Sequence, residues 1–220
     1  MRIRKKQCLA RLAEIHQHSA RKRLQDVKMP VGDCEKAFLE AAAHEGIQLV
    51  RYTQPWLNQR GHFGLPGDAG AVFIPLDKIF HELGGDGEAQ SAKRTTALPG
   101  DFIHLPTGTM IEIDEVQHFT TFRMRTFAHY PVEASLGFDT DEYVDLCKRF
   151  CRTADKYRLN KAASGFGPGG RQRQRAYNDA LRDLVIPAMG QPPLIRIPAP
   201  DGDGAAAFER NSVRILRSLS

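Results

Sequence analysis

Leu9, Leu12, Ile15 and Leu24 form a thin apolar stripe among basic residues and predict a helix over residues 2–28, which Pro30-Val31-Gly32 breaks. Asp33 is suited to cap a second helix over about 34–45, with Phe38, Leu39 and Ala42 inward and Gly46 as its stop. Ile47 to Tyr52 reads as a first strand, residues 53–70 as a Gly-, Pro- and Asn-rich loop, and Val72-Phe73-Ile74 as a short strand. Residues 82–97 are polar and Gly-rich and are expected to form a mobile excursion. Asp101 to Leu105 and Met110 to Phe119 are strand-like, and Pro106-Thr107-Gly108-Thr109 between them has turn chemistry, so the two predict an antiparallel hairpin. A helix follows over 139–159, with Thr140 a candidate cap. Gly165 to Gly170 forms a flexible loop that lacks the Gly-Lys-Ser/Thr of a phosphate-binding loop. A long helix over 171–189 turns Ala176, Ala180, Leu181, Leu184 and Val185 inward and ends at Gly190 before Pro192-Pro193. Leu194 to Ile197 is a short apolar strand, residues 199–206 a linker, and Phe208 to Leu219 a terminal helix.

The second hairpin strand carries acids where a buried strand should not. On strict alternation Ile111, Ile113 and Phe119 share a face with Glu115 and Gln117, and Glu112, Asp114 and His118 share the other with Val116. Buried carboxylates are costly unless a cation or strong partners meet them. Asp101 begins the neighbouring strand, so it can approach Glu112 across the sheet. Carboxylates converging there suit Mg²⁺ or Mn²⁺, which prefer oxygen ligands. Such a metal acidifies a bound water and stabilises charge on a phosphate, as phosphodiester hydrolysis requires.

Charge adds to this picture. The formal net charge of +5 is segregated. Residues 1–28 carry +7 and residues 148–196 carry +8, while residues 29–147 carry −10. Basic segments around an acidic centre fit a polyanion-binding surface around a metal site, and equally fit solvated helices. No run of about 18 apolar residues exists, and no apolar signal core follows the basic N-terminus, so a cytoplasmic protein with no membrane span is expected. Cys8, Cys34, Cys147 and Cys151 are too few and scattered for a disulfide framework, and no second Cys/His pair completes a zinc site with Cys147 and Cys151.

The order of these features resembles the PD-(D/E)XK nuclease superfamily, in the branch of very-short-patch-repair-like endonucleases. Cys34-Glu35-Lys36-Ala37-Phe38-Leu39 with Glu45-Gly46-Ile47 resembles the opening acidic helix and first strand, and Pro99-Gly100-Asp101-Phe102 the strand with the first metal-binding acid. Ile111-Glu112-Ile113-Asp114 with His118 resembles the Glu-x-Asp-Gly-x-x-His strand, and Arg175 to Arg182 with Gly190 and Leu194 to Ile197 the closing helix and strand. The resemblance implies an α/β, restriction-endonuclease-like core: a small mixed sheet flanked by helices. The basic helix over 1–30 precedes it, the core spans 31–198 with insertions at about 53–98 and 120–170, and 199–220 forms a linker and short helix.

It implies Asp101, Glu112 and Asp114 as ligands of Mg²⁺ or Mn²⁺, His118 as proton carrier or phosphate contact, and Glu35 as a further acid. Arg171, Arg173, Arg175, Arg182 and Arg196 would contact nucleic acid, DNA before RNA. Gln117 turns inward only through a bulge, and a Glu115-x-Gln117 register would make Glu115 the ligand instead. The superfamily's lysine position is Asp114, and Glu115 replaces the branch's glycine. Each residue also has a plainer reading: Asp101 as a turn cap, Glu112 and Asp114 facing solvent, His118 structural, Glu35 an ordinary helix acid, the arginines a solvated face. The leading expectation is a metal-dependent endonuclease, with a homodimer or protein partner open. The alternative is an inactive nuclease-fold protein that binds nucleic acid or a partner subunit.

Overall fold

A computed structural model describes residues 32–219. The described residues from Cys34 onward form one compact unit. The helix expected over 2–28 lies outside the described residues. Helix α1 spans Asp33–His44 and buries Cys34, Phe38 and Ala42, a stripe at four-residue spacing. Strand β1 spans Leu49–Asn58, six residues beyond the expected end. It lies at an edge of a four-stranded sheet ordered β1-β2-β3-β4, where Pro55 is tolerated because an edge strand need not donate every amide.

Val72-Phe73-Ile74 is not a strand. Phe73 opens helix α2 (Phe73–Glu82), whose Leu76, Ile79 and Phe80 are buried. With Leu83 these apolar residues recur at three- and four-residue spacing, a helical pattern hidden behind the β-branched start. The polar excursion is also ordered in part. It holds helix α3 (Gly87–Ser91), capped by Asp86, whose side chain accepts the Ala89 amide.

Strands β2 (Ala97–His104) and β3 (Thr109–Glu115) form the expected antiparallel hairpin. β3 stops before Val116, and Val116–His118 form a 3-10 turn, so strand alternation does not reach Gln117 or His118. Helix α4 (Thr121–Thr126) and helix α5 (Thr140–Ala154) follow. The cap of α5 is Asp139, which accepts the Asp141 and Glu142 amides; Thr140 is already helical. Helix α6 spans Arg171–Ala188, and strand β4 (Ile195–Ala199) returns parallel to β3, with Glu112 beside Arg196. Helix α7 (Gly204–Ser218) starts within the expected linker, capped by Asp203.

The protein is thus a mixed α/β fold, a four-stranded mixed sheet flanked by helices. One apolar layer joins Phe38 of α1 and Phe208 of α7 to Phe102, Ile111, Ile113, Ile195 and Ile197. The other joins α2 and α6 through Leu76, Phe80, Tyr177, Leu181 and Val185, with Met110 from β3. Phe119, Phe138, Tyr143 and Cys147 make a third cluster beside the sheet. Cys34 and Cys147 are free and buried, and burial pushes both thiols up to about 12. No helix among the described residues is long and apolar enough to cross a membrane.

Candidate active site

The β2–β3 ladder pairs His104 with Thr109, Ile103 with Met110 and Phe102 with Ile111. One step further, side chains replace the ladder. The Asp101 amide donates to Glu112 Oε1 (3.1 Å), and the Ile113 amide donates to Asp101 Oδ2 (2.8 Å). Each carboxylate therefore satisfies a backbone donor of the opposite strand where the two strands part. Tyr52 of β1 crosses β2 and donates its hydroxyl to the same Glu112 Oε1 (3.0 Å). Gly100 permits this crossing: a β-carbon there would lie 2.0 Å from the Tyr52 ring. From α6, Arg182 places Nε 3.6 Å from Glu112 Oε1 and donates through Nη2 to the Pro99 carbonyl (2.6 Å). Arg182 Nε is buried and has no hydrogen-bond acceptor.

These acids are strained electrostatically. Burial, and then the facing Glu112, hold the Asp101 carboxyl well above the usual carboxylate range, with Glu35 adding to the effect. The Arg51 guanidinium bridges the outer side, bonding Glu35 and standing 3.5 Å from Asp101 Oδ1 while lying over the Phe102 ring. The exposed Arg51 thus ties Glu35 to Asp101 on the outside, while Glu112 meets Asp101 across the hairpin. Tyr52 is held firmly as a phenol by burial and by Glu112.

Asp114 shares the α6-facing side of β3 with Glu112 but has other partners. Arg196 Nη1 donates to both its oxygens (2.9 and 3.0 Å), and the Tyr143 hydroxyl donates to Oδ2 (2.9 Å). Arg196 also bonds Asp183 through Nε (2.6 Å) and the Asp179 carbonyl through Nη2 (3.0 Å). Asp183 in turn accepts from Arg123 and from the Tyr130 hydroxyl (2.6 Å). His118 Nδ1 lies 2.9 Å from Asp179 Oδ2 and 3.3 Å from Asp114 Oδ1. Burial opposes ionisation of Asp179, but His118 and Arg196 overcome it and hold this carboxyl well below the usual range. Glu112 and Asp114 are both buried, so the solvent-facing reading of them fails.

The expected nucleic-acid arginines divide. Arg182 and Arg196 are buried and are not surface cations: each is drawn inward by the acids of β3. Arg173 donates to the carbonyls of Leu83, Phe166 and Pro168 and so fastens the Gly-rich loop. Arg175 donates to the Gln117 carbonyl and lies over Tyr157. Arg171 lines an open cleft with Lys93 and Arg94. Glu115 and Gln117 bond each other, and the 3-10 turn takes the place of the inward bulge. Tyr52, Tyr143, Arg123, Asp179 and Asp183 were not foreseen as partners of the acids. Asp179, Arg182 and Asp183 did carry a signal, since they interrupt the α6 sequence at helical spacing between buried apolar residues.

Among the described residues no group of three or more His, Cys, Asp and Glu is arranged to hold a metal ion. Asp101 and Glu112 offer a two-carboxylate, all-oxygen donor set, and both hydrogen bonds to Glu112, like the Arg182 contact, address Oε1. Mg²⁺ is commonly held by one or two carboxylates, with waters and substrate phosphates completing its shell, so this pair fits that ion. Asp114 does not, because Arg196 and Tyr143 occupy both its oxygens.

A model of a family described as Family of unknown function (DUF7255) matches residues 78–217. No curated protein and no solved structure matches the chain.

Proposed function

This chain belongs to the DUF7255 family, and we propose that it is a metal-dependent nuclease that hydrolyses phosphodiester bonds in DNA. One observation carries the reading: Asp101 and Glu112 face each other where the hairpin ladder ends, and burial together with Glu112 makes Asp101 resist ionisation. A divalent cation would relieve that repulsion. The element order also supports a restriction-endonuclease-like core, since α1, β1, the acid-bearing hairpin, α6 and β4 follow the sequence of that fold around one sheet.

In this reading Asp101 and Glu112 hold Mg²⁺ or Mn²⁺, and Glu35 is freed when Arg51 swings outward. The metal, when bound, supplies an acidified water and charge stabilisation on phosphate. Tyr52 and the Asp101 amide fix the Glu112 carboxylate in place. His118, about one-fifth exposed, has Nδ1 held by Asp179, which leaves Nε2 to exchange a proton or meet a phosphate oxygen. Asp114 acts indirectly, by orienting His118 and anchoring Arg196.

The test is cleavage of supercoiled plasmid and single-stranded DNA with Mg²⁺, Mn²⁺ or EDTA. Glu112→Gln keeps the acceptor for Tyr52 but removes the charge, and it should cut at least about a hundredfold more slowly, as expected when a metal ligand is lost. Metal-dependent cutting that survives in Glu112→Gln sinks the assignment. A second reading, nucleic-acid binding without cutting, draws on the occupation of both Asp114 oxygens by Arg196. It predicts binding that is salt-sensitive and indifferent to EDTA, with no cleavage by the parent chain.

A further inference from the structure

Lys93, Arg94 and Arg171 converge on a cleft of about 450 Å³ that the acidic pair does not use. No carboxylate lines it; its other polar walls are Ser164 and the amides of Gln59, Gln174 and Asn178. Among the described residues none of the three cations is paired with an acid. Lys93 Nζ donates to Gln90 Oε1 (2.5 Å) and Arg171 Nη1 to Gln174 Oε1 (2.6 Å), both uncharged. Some exposed cations elsewhere do meet acids, as in Lys148–Asp145 and Arg210–Asp201, whereas these three share one concavity without one. Like charges gathered in a concavity repel one another until an anion joins them.

The cleft is also built in advance. Gln90 is only 2% exposed; its amide nitrogen donates to the Gln59 carbonyl (2.8 Å) and its oxygen holds Lys93. Gly165 lets the neighbouring loop close on this pair, since a β-carbon there would lie 2.2 Å from Gln90 Oε1 and 3.2 Å from Lys93 Nζ. Burial lowers the Lys93 pKa, a penalty that a bound anion would offset.

The cleft and the acidic pair share a wall. Leu98 and Asn178 line the cleft. Arg182 donates to the carbonyls of Asn178 (3.2 Å) and Pro99 (2.6 Å) while its unsatisfied Nε stands beside Glu112. Pockets of roughly 300–1,000 Å³ enclose a small ligand, so one nucleotide fits here and a double helix does not.

We propose that this cleft is a phosphate-binding subsite that takes one unpaired nucleotide of a nucleic-acid strand passing Asp101 and Glu112. The inference rests on the nuclease reading for the direction of that strand, but its test does not require cleavage. A fluorescent single-stranded oligonucleotide is titrated with the full chain in EDTA, by anisotropy, over a range of salt.

Lys93→Gln with Arg171→Gln should weaken binding roughly tenfold or more. It should also flatten the plot of log affinity against log salt by about 1.4, at about 0.7 for each phosphate that is no longer neutralised. Lys148→Gln with Arg210→Gln removes the same charge from α5 and α7 and should leave affinity within about twofold, since a remote exposed charge adds little. Should the first variant fail to fold, the exposed Arg94→Gln alone should weaken binding severalfold. No binding by the parent chain, or equal weakening in the two double variants, overturns the proposal. So does displacement of the oligonucleotide by an equal concentration of nucleoside monophosphate or inorganic phosphate, which would make a free small anion the occupant. Absence of cutting with cleft-dependent binding intact would count against the nuclease reading alone.

Discussion

Asp101 is where the site's electrostatics are concentrated. Its carboxyl is raised by burial and by Glu112, so the folded chain binds a proton there more tightly than the unfolded chain. Stability contributed by this residue is therefore greatest in acid and declines as pH rises above the ordinary carboxylate range near about 4. Asp101→Asn retains an acceptor for the Ile113 amide and removes the repulsion. The variant should melt above the parent at pH 7 in EDTA, with the gap closing below about pH 4. A parent at least as stable as the variant at pH 7 would mean that Asp101 is not held against its neighbours. The sequence singled out Asp101 and Glu112 through acids in strand context. It did not single out Tyr52, because a tyrosine in an edge strand has no distinguishing pattern until Gly100 is seen to let it cross β2.

At the scale of elements, α6 and the β3–β4 pair are joined by a buried charge network as well as by apolar packing. Arg196 is fully buried, with Asp114, Asp179 and Asp183 around it. Removing one partner of such a group strands the others in a poorly solvated interior. Arg196→Met should therefore cost about 3–5 kcal/mol in urea unfolding. A loss below about 1 kcal/mol would show that water reaches these acids. The 120–170 segment is more than an insertion between core elements. It supplies Arg123 and Tyr130 to Asp183, and Tyr143 to Asp114, completing the network that anchors α6. Helices α1 and α6 were readable from apolar spacing and end signals, and α5 was expected in place but with a different cap and a later end. Helix α2 was not, because Val72-Phe73-Ile74 has strand character and Leu76, Ile79 and Phe80 reveal their helical spacing only over a longer window.

For the molecule as a whole, the network makes stability depend on acid. Asp179 has a depressed folded-state pKa, so its contribution is present above the unfolded value near about 4 and is lost as pH falls below it. At pH 7 Asp179→Asn should be less stable than the parent by about 2 kcal/mol, the range for hydrogen bonds to charged groups. At pH 3 the two should approach each other, and a gap that stays constant between these pH values would refute the linkage. The sequence by itself determined the hairpin, the positions of helices α1 and α6 and the presence of acids on a buried strand. Those follow from local periodicity and turn chemistry, which act over a few residues. Tertiary structure alone decided which acid has both oxygens hydrogen-bonded by buried side chains and which faces a second carboxylate. Asp114 and Glu112 are two residues apart on one face of one strand, yet Arg196 closes around Asp114 while Glu112 faces Asp101. That difference comes from β4 and α6, which lie far along the chain from β3. The same folding turned Arg182 and Arg196 inward and gathered Lys93, Arg94 and Arg171 at one cleft, because a charge takes its partner from whatever the fold brings near.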